Sequence, residues 1–240
     1  MPCGVAVSTR ARWVECFLSL TRLRRGLNWT FVKTVLKYVL NMSNFFDPQA
    51  DFQVHRRNLP HRRQAGVIYF VTFHLADSLP RLKRAALQEE RKLWLALNQP
   101  PHNQRQIEEY HRNFSKRIHD WLDAGYGSCA LAHPEIFRLV ESVLNFFNEQ
   151  RYALGEYVVM PNHVHALVEP IGNHSLDRIL HSWKWFSANQ INEMYGSRGR
   201  LWHPESFDHI VRSAAQLERF EKYIRNNPKL LSFNARAQTD

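Results

Sequence analysis

Two histidines one residue apart, His163 and His165, stand in the string VVMPNHVHALVEP at residues 158–170. On a strand, successive side chains alternate faces, so both imidazoles point to one side and Val164 points into the core. Two imidazoles side by side share a divalent ion when a carbonyl, amide, carboxylate or water completes the shell. The turn at Pro161 and Asn162 sets the pair at the start of its strand, where a site can open to solvent. The spacing leaves a plainer reading open: an exposed polar face, or two hydrogen-bonded histidines. Further on, FEKYIRNNPKL (220–230) holds Tyr223 and Asn227 one helical turn apart on a single face. Beside a metal, that face supplies a nucleophile and a ligand. Taken singly, the two residues also suit a packed tyrosine and the end of a helix before Pro228.

Around these residues the elements are legible. RYALGEYVVM and HVHALVEP are two strands joined by the Pro-Asn turn, and VIYFVTFHLA (67–76) is a β-branched and aromatic run that reads as a buried strand. FDHIVR (207–212) is a shorter strand. Residues 80–121 are helical in pattern, with a break at Pro100 and Pro101. Pro134 opens a helix whose Ile136, Val140, Val143, Leu144 and Phe147 repeat at helical spacing. Ser175 caps another helix, and a last one, from about Ala214 to Asn227, is expected to stop at Pro228. HRRNLPHRRQAG (55–66) reads as a basic loop and LDAGYGSCAL (122–131) as a Gly-punctuated turn. The order predicts an α+β fold, a ferredoxin-like antiparallel sheet with helices on one face.

The chain has 240 residues, 44% of them hydrophobic and 12% aromatic, enough for one packed domain and too much for wholesale disorder. No apolar run approaches the roughly 18 residues of a membrane span. Three scattered cysteines, Cys3, Cys16 and Cys129, argue against a disulfide framework or a cysteine zinc site and suit a reducing cytoplasm. The net charge of +10 points to nucleic acid or another anion, but it is unevenly spread. Residues 1–41 hold seven Lys/Arg and one acid, while the other 199 hold 25 bases and 21 acids. A basic N-terminal extension (1–41), either an unstructured arm or sequence upstream of a start at Met42, is expected ahead of a domain over 42–240.

Taken together, MPNHVHALVEP, SLDRILHSWKWFSANQIN, LWHPESFDHIVR and YIRNNP resemble the single-tyrosine HUH transposases of the IS200-like family. They look most like the REP-associated tyrosine transposases. NLPHRRQAGVIYFVTFHLADSLP and LDAGYGSCAL are similar to that branch's N-terminal signatures, and the resemblance covers Phe45 to Lys229. Two places depart from the pattern: His203 stands where most relatives carry Gln, and KLLSFNARAQTD follows Pro228 in place of a Val-Lys-Ala-Gly-Leu-like run.

The resemblance implies that the HUH motif lies on a central strand and the catalytic tyrosine on the C-terminal helix. His163, His165 and Asn227 would ligate Mg²⁺ or Mn²⁺, and Tyr223 would attack a phosphodiester to give a 5′-phosphotyrosine. The implied partner is single-stranded DNA, a REP-like hairpin with a flanking tetranucleotide, met by a cytoplasmic, nucleoid-associated monomer. Candidate DNA contacts are Arg56, Arg57, Arg62 and Arg63, then Lys184, Arg212 and the aromatics near Trp183, Trp185 and Trp202, at least one of which a helix must turn inward. Two rivals stand beside this reading: a non-catalytic hairpin-binding relative, and a hydrolase that uses the histidine pair to activate water.

Overall fold

The computed structural model describes residues 44–51, 53–56, 60–99 and 102–237. The extension at 1–41, Arg57, and the side chains of Arg56 and Arg62 lie outside the described residues.

A hairpin of β1 (Gln53–Arg56) and β2 (Pro60–Arg63) comes first, so the segment expected as a basic loop is a two-stranded ribbon. β3 (Tyr69–His74) leads into a helical insert: α1 (Arg81–Leu97), α2 (Gln104–Tyr110), one π-helical turn at His111–Ser115, and α3 (Lys116–Asp123). The break at Pro100 and Pro101 separates α1 from α2 as expected. α4 (Pro134–Asn145) precedes β4 (Tyr152–Val159) and β5 (His163–Pro170), then α5 (Leu176–Met194), β6 (Phe207–Ile210) and α6 (Ala214–Ala237).

The sheet order is β4-β5-β3-β6, with every neighbouring pair antiparallel, which is the ferredoxin-like arrangement. Pro134 sits in the first turn of α4, and the Ser175 hydroxyl accepts from the Arg178 amide at 3.4 Å to cap α5. Both central strands are buried on both faces. Tyr69, Val71 and Phe73 of β3 and Val164, Ala166 and Val168 of β5 join Ile136, Val140, Leu144, Leu176, Ile179 and Trp183 in the larger core under α4 and α5. Phe70 and Leu167 face the other way and pack with Leu217 and Ile224 of α6. Each such side chain removed from water contributes roughly 1.5–3 kcal/mol.

Two expectations are corrected. Helices cover both faces of the sheet, because Phe70 of β3 and Leu167 of β5 put apolar side chains on the second face as well, and α6 covers them with Leu217 and Ile224. The last helix runs through Pro228 to Ala237. A proline removes one helical hydrogen bond, here the one to the Ile224 carbonyl, and a long helix absorbs that loss. Among the described residues, no helix is long and apolar enough to cross a membrane.

Candidate active site

β5 brings His163 and His165 to the face opposite Val164, and the fully buried Val164 anchors the strand in the larger core. The two Nε2 atoms lie 3.0 Å apart. Rather than opening to solvent, both imidazoles are fully buried, since α6 and α3 close over them. α6 lays Tyr223 across the pair, its hydroxyl 3.3 Å from His165 Nε2, and turns Asn227 inward one turn later, with no surface exposed.

Three further residues complete it, none of them singled out by sequence. Asp123, the last residue of α3, places Oδ1 3.6 Å from His163 Nε2 and Oδ2 3.5 Å from the Tyr223 hydroxyl. Thr72, opposite His165 in the β3–β5 register, sets its hydroxyl 2.7 Å from His165 Nδ1 and 3.5 Å from His119 Nε2. His119 and Asp123 are four apart on α3, a spacing visible in the sequence but meaningless until the helix is docked.

The hydrogen bonds assign the protons. Asn162 donates its amide to the Tyr126 carbonyl at 2.9 Å, so its oxygen faces His163 Nδ1 at 2.7 Å and accepts that N–H. The Thr72 hydroxyl can accept the His165 Nδ1 proton and direct its own towards His119. With the outer nitrogens protonated, the two Nε2 lone pairs face each other, as in metal-binding histidines oriented from behind. Burial and the neighbouring histidines push His163 down to about 3 and His165 well below its ordinary value, so both are neutral at pH 7. Burial, with Asp120 nearby, raises Asp123 to about 6, while burial and then Asp123 hold the Tyr223 phenol well above its usual range.

The donor set fits a divalent ion. Asp123, His163 and His165 each offer one ligand atom, all within 4.8 Å of one another. Asp123 Oδ1 and both amide atoms of Asn227 are buried without a hydrogen bond among the described residues. Such atoms cost about 1–3 kcal/mol each when left bare.

The DNA-contact candidates lie elsewhere. Arg63 is held by Asp177 at 2.8 Å and Asp208 at 2.6 Å, with its charge spent inside the protein. Lys184 donates to the Pro204 carbonyl at 2.9 Å. Trp202 was expected among exposed aromatics but is buried in the larger core, its indole donating to Ser187 at 2.8 Å, so no ring face is free to stack a base. Trp183 is also buried, while Trp185 is 60% exposed, the split that helical alternation requires. Arg63, Lys184, Trp185 and Trp202 line one cavity of about 510 Å³, which includes none of the histidine-tyrosine cluster. Arg212 is exposed, 5.7 Å from the Phe46 ring centre. His203 stacks on the buried His74, ring centres 4.6 Å apart.

Residues 131–227, which contain the histidine pair, Tyr223 and Asn227, match the model of the family described as IS200-like transposases. That segment is similar to an IS200-like transposase domain. No curated protein matches the chain. Among solved structures, it is similar to a REP-associated tyrosine transposase bound to a REP hairpin, at 15% identity and a TM-score of 0.36, covering 73% of this chain and 72% of that one. It is also similar to a candidate transposase from Deinococcus radiodurans R1, at 15% identity and a TM-score of 0.34, covering 67% and 90%. The matched segment starts after α3, so Thr72 on β3 and His119 and Asp123 on α3 reach the site from outside it.

Proposed function

We propose that this chain is a metal-dependent single-stranded DNA endonuclease and strand transferase acting on REP-type hairpins with a flanking tetranucleotide. The observation that carries the reading is the Tyr223 hydroxyl, 3.3 Å from His165 Nε2, within a buried group of neutral imidazoles and a carboxylate. The match of residues 131–227 to the IS200-like transposase family supports DNA as the substrate, and the net positive charge, most of it in residues 1–41, agrees with it.

His163, His165 and Asn227 would hold the ion, Mg²⁺ or Mn²⁺. When bound, it neutralises phosphate charge and favours the ionised phenol. Thr72 and Asn162 hold the imidazoles with their lone pairs inward. Tyr223 starts protonated and passes its proton to the acceptor facing it that is not committed to the ion, Asp123 Oδ2. Its oxygen forms a bond to the scissile phosphorus as the bond to the 3′-oxygen breaks, leaving a 5′-phosphotyrosine and a free 3′-OH. The covalent bond keeps the energy of the phosphodiester, so a second 3′-OH can attack it, release Tyr223 and join a new strand. Burial of the site keeps water from hydrolysing the intermediate.

The test is a denaturing gel of labelled single-stranded REP-type hairpin incubated with the protein and Mn²⁺. A covalent adduct is expected with the wild type and none with Tyr223→Phe. Cutting that survives Tyr223→Phe would replace this reading with a water-activating hydrolase. A retained gel shift with no adduct from the wild type would replace it with a hairpin-binding protein.

A further inference from the structure

Asp123 stands at the end of the α1–α3 insert, outside the matched transposase segment, yet it points at the centre of the site. α3 is seated there at two points one turn apart. His119 packs its ring edge against Phe70 and His165, with ring centres 6.5 and 5.7 Å away, and reaches the Thr72 hydroxyl. Asp123 then faces His163 and Tyr223.

Its Oδ1 cannot be explained by an ion pair with His163. That ring's N–H is already given to Asn162, so Nε2 presents a lone pair to Oδ1 across 3.6 Å. His165 Nε2, 3.0 Å from the first, presents another when its Nδ1 proton is given to Thr72. Three electron-rich atoms therefore converge, and the carboxylate oxygen is buried without a hydrogen-bond donor. A cation satisfies all three at once.

We propose that Asp123 is a ligand of the ion held by His163 and His165, and that its second oxygen orients the Tyr223 hydroxyl. This rests on reading the histidine pair as a metal site. Two imidazoles and an amide carry no charge, so a carboxylate from α3 adds the anionic donor that lets the free protein load its ion before DNA arrives. The ion in turn ties α3 to β5.

Isothermal titration of the full chain with MnCl₂, without DNA, tests this. Asp123→Asn keeps the side-chain shape and removes the charge; it should weaken Mn²⁺ binding at least ~10-fold, the loss seen when even a supporting group around a metal is removed. His163→Ala should abolish binding. Asp123→Asn binding as tightly as wild type overturns the proposal while leaving the histidine site intact. A wild type that binds no Mn²⁺ overturns it together with the metal reading. Hydrogen exchange over residues 116–124 gives a second readout that needs no variant to fold: Mn²⁺ should slow it in the wild type, and unchanged exchange there overturns the proposal. Should the wild type form no DNA adduct while Asp123-dependent Mn²⁺ binding persists, strand transfer fails and this inference stands.

Discussion

Thr72 does its work with a single oxygen. It is fully buried on β3, with its hydroxyl 2.7 Å from His165 Nδ1 and 3.5 Å from His119 Nε2, so the orientation of the His165 imidazole passes through it. Thr72→Val keeps the shape and leaves both ring nitrogens without a partner, a cost of about 1–3 kcal/mol. Loss of this support should also weaken Mn²⁺ binding by ~10–100-fold. Urea unfolding and calorimetry measure the two effects, and Thr72→Ser should restore both; unchanged Mn²⁺ affinity in Thr72→Val would show that His165 needs no such support. The sequence exposed His163, His165, Tyr223 and Asn227 because their spacing maps directly onto one strand face and one helix face. It hid Thr72, His119 and Asp123, whose roles depend on cross-strand register and on where a helix docks.

At the scale of elements, the question is what seats α3 over the sheet. The turn that follows it is built around Gly127, with φ at +94° and a position where a Cβ would lie 2.8 Å from the Asp77 carbonyl oxygen. Next to it, the Ser128 amide donates to the Asp77 carboxylate at 2.7 Å. This clasp joins the end of the helical insert to the loop after β3. Gly127→Ala meets both an unfavourable backbone region and a clash, so it should destabilise the fold by more than about 1 kcal/mol. Thermal unfolding checks it, and an unchanged midpoint would mean that the turn relaxes freely. β3, α4, β4, β5 and β6 were readable because local pattern and tertiary role agree in them. The β1–β2 ribbon and the π-helical turn were not, since each departs from the period that local pattern assumes.

Across the whole molecule, histidines line the face that α3 and α6 cover, and this sets the response to acid. Burial, followed by His111 and His119, pushes His209 down to about 4 from an ordinary 6.5. Between those values the unfolded chain binds more protons than the native one. Stability is therefore full above about pH 6.5 and falls as pH drops towards 4. His209→Gln should flatten that fall, as measured by urea unfolding across pH 4 to 7; parallel curves for variant and wild type would assign the acid response to other groups.

The sequence by itself determined the antiparallel α+β sheet, the shared face of His163 and His165, and the helix that carries Tyr223 and Asn227. These follow from periodicity, which acts between near neighbours along the chain. Only the tertiary structure decided that the site is buried, that Trp202 belongs to the core and Arg63 to an internal ion pair, and that Asp123 joins the histidines. Each of those depends on which distant surfaces pack together, and no local period of charge or apolarity records that.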